Sequence, residues 1–276
     1  MDNDDKPVGR MWTRRQTLVL LSAAGAGLLA ACAPRTAATS APSKATVATK
    51  TDTAIAVPTS ATTAVAIAND VATASTMPAC VISPALTEGP VFVEEKLNRS
   101  DIRPDPSNGT VTEGAQFDLT LRIGQMEGSG CTPLAGAAVD IWHCDSQGIY
   151  SDTTQLGMHT TGQKFLRGYQ TTDATGLVKF TTIYPGWYSG RAVHIHIKVR
   201  GNDAAGKSFE FTSQLFFDEA MSDTVFAQAP YNAKSGQRIL NNRDNIYQQG
   251  AGQTLLNVAQ AGSGYAASFY FGVKIS

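Results

Sequence analysis

Runs of alternating polar and apolar residues recur along the chain from residue 116 onward. Because successive side chains of a β-strand point to opposite faces, each run predicts a strand with one buried face. The predicted strands are Gln116–Ile123, Ala138–Trp142, Leu177–Ile183, Val193–Val199, Phe209–Phe217 and Tyr265–Val273. Turn residues separate these runs, and the pattern shows no long amphipathic helix. It therefore predicts an all-β fold, an antiparallel β-sandwich with long loops and little helix, in which Leu255–Ala261 is a short helix or a loop.

The first 32 residues are patterned differently and indicate export. Paired Arg14 and Arg15 precede an apolar run, Leu18–Ala31, which is too short to span a membrane comfortably and ends at Cys32. Paired arginines before such a run indicate twin-arginine export. The residues that end in Cys32 resemble the site at which bacterial lipoproteins are cleaved and lipidated. We expect residues 1–32 to be this signal, with a plain signal peptide or a single membrane anchor as the alternative.

Residues 33–78 consist largely of Ala, Thr, Ser, Val and Pro, without a glycine or an aromatic residue. This segment has no period that would bury one face, so we expect a disordered tether. Residues 79–276 are long enough for one domain with its own core. The formal net charge is −1 without a basic stripe, which argues against nucleic-acid binding. We expect an exported protein held at the cell envelope or cell surface only by a lipid on Cys32, in an oligomeric state that the sequence leaves open.

Three cysteines follow Cys32, namely Cys80, Cys131 and Cys144. In an oxidising compartment two of them can form a disulfide and leave one thiol, but their spacing does not assign the pair. None of them has the spacing of a zinc site.

A candidate metal-binding pattern lies in the run Val193–Val199. Its strict alternation puts His194 and His196 on the same face of one strand, from which both imidazoles can reach one metal ion. Alone, two histidines at this spacing are a modest indication of a metal. Tyr188 and Arg191, which follow a Pro-Gly turn just before them, add aromatic and polar groups to the same region.

Four segments resemble the intradiol ring-cleavage dioxygenases, the family of catechol 1,2-dioxygenase and protocatechuate 3,4-dioxygenase. Thr182–His196 is similar to the family's signature, and Asp140–Tyr150 is similar to the strand and turn that end in a second tyrosine ligand. Weaker similarities are Thr87–Phe92, like a segment that lines the substrate pocket, and Thr212–Phe217, where the family has a glutamine near the substrate. The four segments occur in the family's order.

The resemblance implies an iron enzyme. Its implied ligands to a non-haem Fe(III) ion are Tyr150, Tyr188, His194 and His196. Phenolate oxygens are hard anionic donors that favour the ferric state, and imidazoles suit iron. The implied reaction takes a catechol-type substrate and O2, breaks the bond between the two hydroxylated ring carbons and yields a cis,cis-muconate-type diacid without an external reductant.

The resemblance also implies roles around the substrate. Tyr188 would be the ligand that leaves the metal and helps to take the substrate's second proton. Arg191 would stabilise negative charge that develops on the ring, and Gln214 would orient the same substrate. Gly89 and Pro90 would shape the mouth of the pocket.

Two features depart from the better-known members of the family. The folded region begins near Cys80, which leaves no room for the helical N-terminal domain through which catechol 1,2-dioxygenases dimerise. The segment between Tyr188 and Arg191 is shorter than in protocatechuate dioxygenases, which suggests a more open site and puts the identity of the substrate in doubt. In both features the chain is similar to the exported, single-domain branch of the family.

Two other functions remain open on the sequence alone. One is a non-catalytic binding lipoprotein on a transthyretin-like sandwich. The other is a zinc or copper protein built on His194 and His196, which would need a third His, a Cys or a carboxylate as a further ligand. We do not expect the remaining histidines to serve, since His143 should make a structural hydrogen bond and His159 should lie in a surface loop.

Overall fold

The computed structural model describes residues 79–128, 130–203 and 206–275. The predicted export signal with Cys32 and the predicted tether, together residues 1–78, lie outside the described residues. Within the described ranges, no helix is long and apolar enough to cross a membrane.

Strands dominate the regular structure of the described residues, as the alternating pattern predicts. The strands are β1 Val81–Ile82, β2 Gln116–Glu127, β3 Gly130–Pro133, β4 Ala138–Trp142, β5 Arg167–Thr171, β6 Leu177–Ile183, β7 His194–Asn202, β8 Ser208–Phe217, β9 Leu255–Leu256, β10 Val258–Ala261 and β11 Gly264–Val273. The helices are α1 Glu219–Phe226 and α2 Asn245–Gln249, with single 3-10 turns at Gln155–Gly157, Tyr231–Ala233 and Asn241–Arg243.

The strands form two sheets. In the first, β11 and β2 are the long central strands; β1 and β10 pair with β11, while β3 and β6 pair with β2. The second sheet has the order β5-β4-β7-β8-β9. Most neighbours are antiparallel, but β1 with β11, β11 with β2, and β8 with β9 run parallel. The predicted all-β sandwich is confirmed, with these parallel pairs as an addition.

Alternation along the strands fills the space between the sheets. The inward side chains of β2 and β7 are fully buried: Phe117, Leu119, Leu121, Ile123, Ile195, Ile197 and Val199. His194 and His196 alternate with these residues, so they lie on the outer face of the second sheet, where loops cover them. The core therefore fixes the direction in which both imidazoles point.

The prediction for Leu255–Ala261 is wrong, because this segment forms β9 and β10. β9 pairs with Phe216 and Phe217 at the end of β8, and β10 pairs with the start of β11. A two-residue strand leaves no period of its own in the sequence. Its conformation depends on a neighbour that is far away along the chain.

The disulfide joins Cys80 and Cys131, and Cys144 is a buried free thiol. Cys80 directly precedes β1, and Cys131 lies in β3. These strands lie on opposite sides of the central strands β11 and β2, and the fold brings the two Cα atoms to 6.3 Å. The pairing depends on a tertiary contact across the first sheet, which the spacing of the cysteines does not contain.

Candidate active site

Three neighbouring strands of the second sheet supply the base of the site. Trp142 of β4, His196 of β7 and Gln214 of β8 are register partners and lie side by side across the sheet. The indole of Trp142 stacks on the imidazole of His196, with ring centroids 4.8 Å apart and an angle of 7° between the planes. The sheet therefore fixes both the position and the tilt of the His196 ring.

Two loops bring the tyrosines over this base. Tyr150 follows β4 and is fully buried; its carbonyl oxygen accepts a hydrogen bond of 2.6 Å from the hydroxyl of Thr160. Tyr188 lies in the loop between β6 and β7 and is half-buried, with exposed neighbours. The two rings meet edge to face at 5.5 Å. Tyr150 is thus held by its surroundings, while Tyr188 lies at the rim.

The two tyrosine loops are in direct contact because two glycines allow it. A Cβ on Gly148, whose φ is +82°, would lie 2.1 Å from the carbonyl oxygen of Trp187. A Cβ on Gly186 would lie 2.4 Å from the carbonyl oxygen of Asp145. The backbone N–H of Gly186 instead donates to that oxygen at 3.1 Å. The relative placement of Tyr150 and Tyr188 therefore depends on the absence of two side chains.

Four donor atoms converge at the centre of the site. The Oη atoms of Tyr150 and Tyr188 each lie 3.4 Å from Nε2 of His194, and Nε2 of His194 lies 3.1 Å from Nε2 of His196. The structure thus brings together all four predicted metal ligands, which come from β7 and from two loops.

A family model described as Dioxygenase matches residues 87–259. Catechol 1,2-dioxygenase 1 of Acinetobacter lwoffii is 24% identical over 192 residues, which cover 60% of this chain and 58% of that relative. The match therefore spans less than two thirds of the relative's length.

Solved structures are also similar. An intradiol ring-cleavage dioxygenase from Tetranychus urticae is 31% identical, with a TM-score of 0.60 over 71% of this chain and 95% of that chain. The dioxygenase domain of a dioxygenase carbohydrate-binding protein fusion from Streptomyces sp. SirexAA-E is 27% identical, with a TM-score of 0.51 over 71% of this chain and 99% of that one.

The chain belongs to the intradiol ring-cleavage dioxygenases. The family match covers the four segments on which the resemblance rested, including both tyrosine loops and the two histidines.

The two imidazoles of the dioxygenase are neutral and offer lone pairs. Burial and the nearby Arg191 charge lower the pKa of His194 to about 3, and burial holds the pKa of His196 well below its usual value. Nδ1 of His194 lies 2.7 Å from the carbonyl oxygen of Ala192, which can only accept, so Nδ1 carries the proton. Nε2 of His194 consequently presents a lone pair to the two tyrosines and to His196.

The two phenols are the donors that need a cation. Burial raises the pKa of Tyr150 far above its usual value, and the proximity of Tyr188 raises it further. Burial also raises the pKa of Tyr188, although the Arg191 charge opposes that rise. Phenolates in this environment therefore require a positive ion at the centre.

The donor set fits a metal ion. A first-row metal binds nitrogen and oxygen ligands at about 2.1 Å, so neighbouring ligands lie about 3.0–3.4 Å apart. The separations around Nε2 of His194 have these values. Within the described part of the chain, no group of three or more His, Cys, Asp and Glu side chains could hold a metal ion.

The predicted substrate residues lie beside this centre. Nη2 of Arg191 donates to Oε1 of Gln214 at 2.5 Å, and Nε2 of Gln214 donates to the carbonyl oxygen of Thr87 at 2.8 Å. The segment Thr87–Phe92 thereby crosses the site, and a Cβ on Gly89 would lie 3.5 Å from Cε1 of His196. Pro90, the next residue, is exposed.

The remaining histidines are placed as predicted. Nδ1 and Nε2 of the buried His143 contact the carbonyl oxygen of Cys144 at 2.8 Å and the hydroxyl of Thr182 at 2.7 Å. Burial lowers the pKa of His143 to about 4, so its role is that of a neutral structural group. His159 is exposed in a loop.

Two contacts of the site were not predicted from the sequence. One is the stacking of Trp142 on His196, for which the register of β4 and β7 is needed. The other is an ion pair between Nε of Arg191 and Oδ2 of Asp244 at 2.9 Å. Asp244 precedes a short helix, and an Asp in front of a helical segment is a recognisable N-cap signal. Its pairing with Arg191 has no local signal.

Proposed function

We propose that this chain is a non-haem Fe(III) dioxygenase that opens catechol-type rings between the two hydroxylated carbons, with O2 as co-substrate. Both oxygen atoms enter the product, a cis,cis-muconate-type diacid. The observation that carries the proposal is the convergence of two phenol oxygens and two neutral imidazole nitrogens at separations of 3.1–3.4 Å. When bound there, the ferric ion would take up the two substrate oxygens and make the ring reactive towards O2.

The surroundings of the tyrosines support different roles for them. Tyr150 is fully buried and its backbone is held by Thr160. We assign it, with His194 and His196, to the ligands that stay in place. Tyr188 is half-buried on a rim loop. It would be the ligand that yields its place to the substrate, and its phenolate oxygen would accept the substrate's second proton.

Arg191 and Gln214 act on the substrate from the side. The Arg191 side chain is 18% exposed, and its guanidinium is held by Asp244 and Gln214. A fixed positive charge in a largely dry pocket stabilises negative charge that develops on the ring. Gln214 orients the substrate, and Gly89 and Pro90 line the mouth of the pocket.

The visible absorption spectrum of the purified protein tests this proposal. With Fe(III), tyrosinate-to-iron charge transfer should give a broad band and a burgundy colour, and anaerobic catechol should shift the band. Oxygen should then yield the diacid product. A protein that stays colourless after ferric iron is supplied would contradict the proposal.

The same experiment separates the enzyme from a binding lipoprotein. Catechol binding that needs no iron and leads to no product would favour the binding protein. A Tyr150→Phe variant tests the ligand set, since loss of one phenolate should change the band while the folded domain remains. An unchanged band in this variant would exclude Tyr150 as a ligand.

We further propose that the enzyme is exported and held at the cell envelope by a lipid on Cys32. The paired arginines, the short apolar run and the position of Cys32 support this location, as does a disulfide that suits an oxidising compartment. Cys32→Ser should abolish labelling by a fatty acid and release the protein from membranes. Membrane association that survives this change would contradict lipidation at Cys32.

A further inference from the structure

Asp244 is a buried carboxylate that joins the site to a helix from another part of the chain. Its side chain is 1% exposed. Oδ1 accepts hydrogen bonds from the backbone N–H groups of Ile246 at 2.7 Å and Tyr247 at 3.1 Å, and so caps α2. Oδ2 accepts from Nε of Arg191 at 2.9 Å and from the backbone N–H of Ala192 at 2.7 Å. One carboxylate thus satisfies four donors.

These bonds fix the plane of the Arg191 guanidinium. A guanidinium is flat, so two bonds to different nitrogens determine its orientation. Asp244 holds Nε, while Gln214 holds Nη2 at 2.5 Å. Gln214 belongs to strand β8, which pairs with β7 and β9, whereas Arg191 lies in the loop before β7. The contact with Asp244 therefore prevents this charge from swinging out of the site.

The same carboxylate supports the backbone next to His194. Ala192 donates its N–H to Oδ2 of Asp244 and accepts, through its carbonyl oxygen, the Nδ1 proton of His194. The two contacts are made by one residue, so the Ala192 position is fixed from both sides. Asp244 consequently contacts the part of the loop that orients both Arg191 and His194.

We propose that Asp244 is a positioning residue of the reaction, which sets the Arg191 guanidinium against the substrate. The assignment rests on the proposed function, because it presupposes that Arg191 acts on a bound catechol. Asp244 does not reach the four converging donor atoms, and it acts through Arg191 and Ala192.

Asp244→Asn is the informative substitution. Asn is about as good an N-cap as Asp, so the helix can keep its cap. An amide, however, has one acceptor oxygen, and its NH2 group would face either the helix N–H groups or the donors of Arg191 and Ala192. The matched control is Asp218→Asn. Asp218 is exposed and caps α1 through Ala220 and Met221, away from the site.

The iron-loaded protein is compared with both variants by charge-transfer spectrum, thermal unfolding, kcat and KM. We expect D218N to behave like the wild type. D244N should keep the resting band, because the four donors remain, while kcat falls roughly 10- to 100-fold, as a catalytic group misplaced by about 1 Å implies. KM should change much less than kcat, because the Arg191 charge acts on negative charge that develops during the reaction.

A double variant distinguishes positioning from general stability. If Asp244 acts through Arg191, the kcat losses of D244N and Arg191→Lys should not multiply when combined. Losses that multiply, or a wild-type kcat in D244N, would overturn the assignment. If D244N does not fold, Asp244→Ser replaces it, because serine also caps a helix but has no second oxygen for Arg191, and a wild-type kcat there has the same meaning.

Failure of the proposed function would look different. In that case the wild-type protein itself would show neither the charge-transfer band nor turnover, and the assignment of Asp244 would fall with it. A functioning wild type beside an unimpaired D244N would overturn only the role of Asp244.

Discussion

Gly186→Ala should separate the two tyrosine loops without removing any functional group. Gly186 lies between Pro185 and Trp187, two residues before Tyr188. A Cβ at this position would lie 2.4 Å from the carbonyl oxygen of Asp145 and 2.6 Å from that of Ser146. Both obstacles are backbone atoms of the loop that leads to Tyr150. These backbone oxygens cannot rotate away from the added methyl group, as the end of a flexible side chain could.

The size of the effect follows from these distances. Ordinary van der Waals contact begins at 3.4 Å, so the loops must move apart by about 1 Å. A displacement of about 1 Å in an active site can cost roughly 100-fold in rate. Forcing a methyl group into a packed region typically costs about 1–3 kcal/mol of folding free energy. We therefore expect a folded variant with a weakened iron site and a kcat about 100-fold lower.

The assay needs a control for the loss of a glycine itself. Gly130→Ala is suitable, because a Cβ there would meet only one carbonyl oxygen, at 4.0 Å, and its φ also lies outside the left-handed region. Iron content, the charge-transfer band, kcat and the urea midpoint are measured for the wild type and both variants. A Gly186→Ala protein with wild-type iron content and kcat would show that the loop contact does not position the tyrosines.

Three further predictions concern groups around the site. Burial holds the pKa of His143 at about 4 in the fold, against 6.5 in the unfolded chain. The neutral imidazole therefore contributes stability that is complete above pH 6.5 and is lost as the pH falls to 4. Between pH 6.5 and 4, the free energy of unfolding measured by urea titration should therefore fall by about 3 kcal/mol less in His143→Gln than in the wild type. Equal falls in the two proteins would refute this role of His143. Opening the Cys80–Cys131 bridge, with a sequence separation of 51, should lower the free energy of unfolding by about 4 kcal/mol in Cys80→Ser, and a change near zero would contradict the loop-closure argument. Trp142→Leu should weaken iron binding roughly 10- to 100-fold in chelator competition. Trp142→Phe keeps an aromatic ring on His196, so its iron affinity should fall less.

Local rules were sufficient for the features that depend on neighbours in the sequence. His194 and His196 alternate with Ile195 and Ile197, and a period of two puts both imidazoles on one face wherever the strand lies. The turn at Asp173 before β6 is likewise local, since its carboxylate accepts from backbone N–H groups up to four residues away. The all-β fold follows from the repetition of such strands.

Local rules could not predict the features that are set by tertiary contacts. β9 is a strand only because Leu255 pairs with Phe216. The disulfide partner of Cys80 depends on a tertiary contact across the first sheet, between residues 51 positions apart. α1 was not predicted, although Asp218 caps it, because eight residues with a weak apolar stripe resemble a loop in the sequence. The resemblance to a family, and not the period, indicated that Tyr150 and Tyr188 belong with the histidines.

The origin of the four donors indicates where the site is most sensitive to change. His194 and His196 lie on a strand with a partner on each side, and their spacing is fixed by the backbone itself. Tyr150 and Tyr188 lie on loops, whose spacing is fixed by packing contacts such as the one at Gly186. Strand geometry tolerates changes in side chains, whereas a packed loop contact depends on particular small residues. We therefore expect substitutions at the loop contacts to impair the centre more than substitutions of β7 residues other than His194 and His196.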